Sequence, residues 1–297
     1  MTVLVVGEAL VDVVQRPTGD PVPHAGGSPF NVAIGLARLD VPAQLAAQVG
    51  ADAYGDLLLE HLYDDDVELL RLEPQPERTS SAVATLAGDG SATYDFDLTW
   101  DPSDLPDPSA FEAVHVGSLG TLLAPGGARV ADLVVGADVL GVPVSFDPNV
   151  RLTVEPDPAA WRQVFAAIAP HASIVKLSNE DARTLFPDED PVDLARRLAA
   201  DHGIVAITLG GDGAIVAAGD ALAQVPPADV RVVDTIGAGD SFMAAMLAWC
   251  ATYDWPRADE LDSAELTDLA LYASSAAAIT CSRPGADPPR TRDLTPR

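Results

Sequence analysis

The stretch Asp234-Thr235-Ile236-Gly237-Ala238-Gly239-Asp240 (DTIGAGD, residues 234–240) sets two glycines and an alanine between two carboxylates, just ahead of the helix-like run FMAAMLAWC. A loop that only has to turn manages with one glycine. Two, flanking an alanine, imply that something approaches the backbone closely. If a helix opens near Gly237, the N–H groups of Gly237, Ala238, Gly239 and Asp240 point outward without helical partners and form an anion site that the helix dipole strengthens. A carboxylate at the fourth position stays ionised there and can accept a proton from an attacking hydroxyl. Positioning, charge stabilisation and a proton acceptor are the parts that phosphoryl transfer needs. An ordinary helix start explains an acid in the first turn, but neither both glycines nor Asp234.

Working outward, strand-like runs alternate with helical patterns: VLVVG at 3–7, a helix over 31–39, AQLAAQV at 43–49 and a helix over 55–63. That is βαβ rhythm. Residues 80–98 break it, reading as two alternating strands joined by Gly88-Asp89-Gly90, a hairpin flap. The rhythm resumes with AVHVG, a helix at 128–139, VPVSFD at 142–147, a helix at 158–168, SIVKLS at 173–178, a helix at 191–202 and GIVAITLG at 203–210. These strands end in Gly, Asp, Ser or Asn, and in open parallel sheets ligands bind at the carboxyl ends of strands. A short hairpin at 214–225 precedes the opening motif, and a long Ala-rich helix spans about 263–281. The Pro- and Asp-rich 101–109 reads as a connector, the tail 284–297 as partly loose.

Composition narrows the function classes. The chain has 297 residues, 48% hydrophobic and 5% aromatic, which suits helices packed on a buried parallel sheet. A formal net charge of -28 argues against nucleic acid and anionic membranes, because phosphate contacts need clustered Lys and Arg. No run reaches the roughly 18 apolar residues of a membrane helix. The start, MTVLVVGEALVDVV, carries Glu8 and Asp12 and no basic segment, so it reads as a first strand, not a signal peptide. Cys250 and Cys281 sit in apolar runs as reduced packing residues, and the expected location is cytoplasmic. Neither GxxxxGK[ST] nor GxGxxG is present, which disfavours P-loop and dinucleotide enzymes.

At this point the sequence resembles the ribokinase-like (PfkB) family of carbohydrate kinases. DTIGAGD matches that family's DTxGAGD signature, and Ala25-Gly26-Gly27-Ser28-Pro29-Phe30-Asn31-Val32-Ala33 matches its Gly-Gly turn followed by a helix-opening Asn. The resemblance implies one ribokinase-like α/β domain over 1–297, a mostly parallel sheet flanked by helices, with a small β lid from segments near 13–24 and 79–100. It implies Asp240 as general base, with Gly237, Ala238 and Gly239 completing the anion hole. Asp12, Gly26, Gly27 and Asn31 would hold sugar hydroxyls, although Asp12 taken alone reads as a strand-end cap. ITLGGDGA at 207–214 would set Thr208, Gly210 and Gly213 near nucleotide phosphates, while glycines there also simply turn a chain. Ser274 and the turn 283–286 would lie near adenine and ribose. Cofactors implied are ATP, Mg2+ and K+, the last at Asp234 and the carbonyl of Ile236.

The family's metal-linked NxxE pattern departs here to KLSNEDA, read as Ser178 with Asp181, since an acid must hold magnesium-bound water. Lys176 is the chain's only lysine, and reads either as a compact phosphate contact or as chance retention. DPNVR at 147–151 resembles the DPNxR segment of bacterial fructokinases and 2-keto-3-deoxygluconate kinases, which turns Asn149 and Arg151 toward sugar or phosphate; a surface ion pair is the plain alternative for Arg151. No Lys or Arg occurs between Arg78 and Arg129, while Asp95 and Asp97 do, so the lid suits a neutral sugar, with Phe96 closing over the ring or merely packing the flap. The expectation is an ATP-dependent kinase of D-fructose first, with 2-keto-3-deoxygluconate, ribose or nucleosides behind it. From a different class comes a catalytically silent sugar-binding regulatory protein. The flap's edge also offers a surface for homodimer pairing.

Overall fold

The computed structural model describes residues 2–15, 20–86 and 92–294. From the start run β1 (Val3–Val6), β2 (Leu10–Gln15), β3 (Val22–Gly26), α1 (Ser28–Arg38), β4 (Ala43–Ala47), α2 (Ala53–Asp64), β5 (Glu68–Arg71), β6 (Ser81–Leu86) and β7 (Ala92–Asp97). The second half runs β8 (Ala113–Gly117), α3 (Ser118–Leu122), α4 (Gly126–Val139), β9 (Val144–Asp147), α5 (Pro158–Ile168), β10 (Ile174–Ser178), α6 (Asn179–Leu185), α7 (Pro191–His202) and β11 (Ile204–Thr208). A hairpin of β12 (Ala214–Ala218) and β13 (Ala221–Val225) follows, then α8 (Ala238–Thr252), α9 (Ser263–Cys281) and a last helical turn, α10 (Thr291–Leu294).

Nine strands form the main sheet in the order β13-β12-β11-β10-β9-β8-β1-β4-β5, parallel except for the β11-β12-β13 hairpins. Strands β1, β8, β9 and β12 are buried at every residue, as continuous apolar runs covered on both faces require. One face packs on α1, α2, α8 and α9, the other on α4, α5 and α7. Helix α8 is apolar all round and buried from Asp240 to Cys250, because α1 and α9 enclose it. The chain winds outward from β1 through β4 to β5, then restarts at β8 on the other side of β1. That reversal opens a crevice at the carboxyl ends of β1 and β8.

The second sheet, β3-β2-β6-β7, stands over this crevice. Its strands do not match the reading of one long first strand. The chain leaves the main sheet at Gly7, where a positive φ of 157 lets the backbone turn against Pro29, and β2 then pairs parallel with β6 and antiparallel with β3. Asp12 therefore lies inside the small sheet, not at the end of β1. The Gly88-Asp89-Gly90 turn falls outside the described residues. Strand β5, unread in the sequence, extends the main sheet beside β4.

The region 284–294 is anchored, contrary to expectation. Arg38 grips the buried Asp65 through three contacts of 3.0 Å and also pairs with Asp287, while Arg290 reaches Asp65 at 2.6 Å. No helix among the described residues is long and apolar enough to cross a membrane.

Candidate active site

The helix predicted at DTIGAGD opens where expected. Gly237 caps α8 in the left-handed region with φ 73, and a Cβ there would come within 2.6 Å of the Ala286 Cβ, so this position needs glycine twice over. The Ala238 N–H reaches only the Thr235 carbonyl, at 3.3 Å, and the N–H groups of Gly239 and Asp240 have no acceptor among the described residues. These free donors face the crevice at the positive end of a fifteen-residue helix.

Asp240, in the same first turn, is 7% exposed. Its Oδ1 accepts from the Ser28 hydroxyl at 2.7 Å and more weakly from the Asn149 amide at 3.4 Å; its Oδ2 accepts from the Asn31 amide at 2.8 Å. Elements far apart in sequence thus converge on one carboxylate. Donors on both oxygens fix its orientation toward the crevice, the geometry required of a proton acceptor. Ser28 was missed in the sequence; its place one residue after the Gly-Gly turn was the available signal.

Gly27, Asn31, Phe96, Asn149 and Arg151 line the same crevice of about 620 Å³ as Asp240, with Asp12 exposed on its lid side. Loss of solvation pushes the Asp12 carboxyl up, and Arg151 and His24 pull it back. Asn149 adopts φ 42, a left-handed conformation that aims its amide at Asp240. The lid's charge pattern differs from expectation. Alternation along β7 turns Tyr94 and Phe96 into the crevice, stacked with centroids 6.1 Å apart, while Asp95 and Asp97 are absent from its lining and Asp97 faces Arg78 at 3.7 Å. From β6 and β7 the inner face takes Ala82 and two aromatic rings, and its acid is Asp12 on β2.

Lys176 is 3% exposed, with Nζ donating to Asp147 Oδ2 at 2.8 Å. Burial pulls the ammonium down, but Asp147, Asp181 and Asp240 together hold it above the ordinary lysine value. Desolvation pushes Asp147 up to about 6 despite Lys176. An added Cβ on Gly239 would lie 3.0 Å from Nζ, so the ammonium sits directly beneath the anion loop, and two of its three donors remain for a phosphate.

Thr208 and Gly210 border both this crevice and a second, more apolar groove of about 620 Å³, where Gly213, Ser274, Phe242 and Cys281 also lie. The two spaces meet at Thr235 and Gly239. Gly26 stands behind the lining, where an added Cβ would meet the Asp12 carboxylate at 2.6 Å. The turn 283–286 sits behind the anion loop: the Gly285 N–H donates to Asp234 at 2.9 Å and Ala286 abuts Gly237.

Asp181, the acid expected to hold magnesium-bound water, is absent from the crevice lining. Its Oδ2 accepts from the Ser178 N–H and hydroxyl at 2.8 and 2.7 Å, and its Oδ1 from the Val150 N–H at 2.7 Å. It is 3% exposed and works as a helix cap that pins the 149–151 loop to α6. Among the described residues there is no cluster of three or more His, Cys, Asp or Glu that could hold a metal ion. Exposed Glu180, one residue before Asp181, does face the crevice. Asp234 is held below the usual carboxylate range by the N–H groups of Gly285 and Ile236, and its ionised form has the charge a monovalent cation would need.

Residues 2–292 match the family described as pfkB family carbohydrate kinase. A fructokinase from Klebsiella pneumoniae is 32% identical over 289 residues, covering 94% of this chain and 93% of its own. One from Rhizobium leguminosarum bv. trifolii is 33% identical over 259 residues, covering 83% and 78%. Among solved structures, a Vibrio cholerae O395 fructokinase variant with fructose, ADP and potassium ion bound superposes with a TM-score of 0.77 at 26% identity, over 96% of this chain and 93% of that one. An uncharacterised sugar kinase from Pyrococcus horikoshii gives a TM-score of 0.79 at 26% identity, over 99% and 96%.

Proposed function

The chain belongs to the pfkB family of carbohydrate kinases, and we propose that it transfers the γ-phosphoryl group of MgATP to a primary hydroxyl of D-fructose. The observation that carries this is Asp240: a buried, doubly held carboxylate in the first turn of α8, beside free backbone donors and between two grooves of suitable size. The apolar groove at Ser274 and Phe242 takes the adenine, Thr208 and Gly210 the phosphates, and the crevice the sugar. Asp12 and Asn31 hold sugar hydroxyls so that the reacting one lies against Asp240, which takes its proton as the phosphoryl group arrives.

Charge developing on that group meets the N–H groups of Gly239 and Asp240, the dipole of α8, and the Lys176 ammonium below them. Arg151, exposed at the rim, completes the cationic side. A monovalent cation at Asp234 and the Ile236 carbonyl would steady the loop from behind. Closure of the small sheet over the sugar, with Tyr94 and Phe96 against the ring, excludes water and limits idle ATP hydrolysis. β6 and β7 bring Ala82, Tyr94 and Phe96 to the crevice and no cation for a substrate carboxylate, which favours a neutral sugar over a keto acid. We place the enzyme in the cytoplasm and leave the lid edge β7 open to pairing in a homodimer.

The test is coupled ADP release from MgATP with fructose, 2-keto-3-deoxygluconate, ribose and adenosine, run beside Asp240→Asn. Fructose turnover that falls at least about 10³-fold in the variant supports sugar and base together. Turnover with the keto acid alone overturns the neutral-sugar assignment. Silence with all four, alongside a sugar-induced rise in Tm, moves the reading to a sugar-binding regulatory protein.

A further inference from the structure

Glu8 follows β1 at the floor of the crevice, is 5% exposed, and has no part in the scheme above. Its Oε2 accepts from the Gly120 N–H at 2.7 Å, and the Ser118 hydroxyl and its own N–H lie near enough to favour the ionised form. Ser118, at the start of α3, is 2% exposed and held at φ 51, an uncommon conformation for a residue with a side chain. An ionised carboxylate has about four lone-pair directions, and the Gly120 N–H occupies one on Oε2, so acceptor capacity remains for a ligand. Glu8, Ser118, Gly27 and Arg151 all border the volume assigned to the sugar.

We propose that Glu8 is a specificity-determining residue, whose carboxylate accepts a hydrogen bond from a hydroxyl of the sugar at the crevice floor, opposite the lid. The assignment rests on the sugar-kinase reading of this site. A purely structural group would be better served by an amide or a hydroxyl, since burying a carboxyl without a cation in contact is costly. Desolvation raises Glu8 to about 7, so its ionisation falls in the working range of pH. Arg151, from the loop after β9, is the charge that pulls it down, and Asp12 on β2, Lys176 on β10 and Asp240 on α8 share the crevice. Because the ionised form is the acceptor, sugar affinity rises as pH increases through about 7.

The experiment compares wild type with Glu8→Gln for KM of sugar, KM of ATP and kcat from pH 6 to pH 8.5, using whichever neutral sugar the wild type phosphorylates best. Expected is a sugar KM raised about tenfold above pH 7.5, with kcat and the ATP KM within about twofold, and loss of the rise in sugar affinity near pH 7. A sugar KM and pH profile equal to wild type overturn the proposal. So does a parallel rise of both KM values with a fallen Tm, which marks Glu8 as structural. If the wild type turns over no sugar, the kinase reading fails, and calorimetric sugar affinities of the two proteins then decide Glu8 separately.

Discussion

Buried ionisable side chains are costly, and this chain keeps Glu8, His115, Asp147 and Lys176 at the heart of its sheet for reasons that differ residue by residue. His115 is fully buried, its Nδ1 against the Ser145 hydroxyl at 2.9 Å, and burial pushes it down to about 3. Its native form binds fewer protons than the unfolded chain between about 3 and 6.5, so it makes stability fall as the solution is acidified through that window. Glu8 acts in the opposite sense. Raised from 4.5 to about 7, it binds more protons when folded, and stability falls as pH rises through that range, by about 3 kcal/mol in full. The two slopes oppose each other between pH 4.5 and 6.5. Urea unfolding of Glu8→Gln should therefore lack the wild type's Glu8-linked fall in stability between pH 4.5 and 7, and stability should exceed wild type above pH 7 even as sugar affinity is lost. Lys176 is different again, because Asp147 depends on it. Lys176→Met should cost about 3–5 kcal/mol in urea unfolding by stranding a buried carboxylate. Lys176→Arg keeps the charge but crowds the space under Gly239; unchanged kcat and ATP KM in that variant would remove Lys176 from phosphate binding.

At the scale of elements, the decisive piece is the first turn of α8, set by its neighbours as much as by its own sequence. Asp234 ties the loop to the Gly285 turn, Ala286 buttresses Gly237, and Arg38 holds Asp287 in place from the far end of the helix whose first residues, Ser28 and Asn31, grip Asp240. Helix α1 thus touches the support of the 234–240 loop at one end and Asp240 at the other. Gly237→Ala meets a positive φ and a 2.6 Å clash, so it should lower kcat/KM by at least about a hundredfold and cost about 1–3 kcal/mol of stability. Near-normal activity with intact Tm would show that the loop relaxes around the added methyl.

For the whole molecule, a formal charge of -28 on 297 residues means that self-repulsion opposes folding throughout the surface. Screening weakens this over about 10 Å at 0.1 M salt, while the partly buried Arg38-Asp65-Arg290 group is screened far less. Raising NaCl from about 0.05 to about 0.5 M should accordingly raise Tm by several degrees; a falling Tm would mean that surface ion pairs outweigh repulsion. Much of the architecture was legible without coordinates, because its signals are local. Asp157-Pro158, Asp190-Pro191 and Asp262 with Glu265 write the starts of α5, α7 and α9 into the chain as caps, and DTIGAGD writes the turn into α8 as a need for glycine beside an acid. What the sequence could not supply were facts about distance between remote segments. That Ser28 holds Asp240, that Asp181 caps α6 away from the crevice, that Asp95 and Asp97 are absent from the crevice lining, and that Glu8 is stripped of water beside Ser118 each depend on which surfaces the tertiary fold brings together. Local chemistry determined the elements and the class of reaction; burial and long-range contact, which have no local code, decided the orientation and ionisation of the groups that carry it.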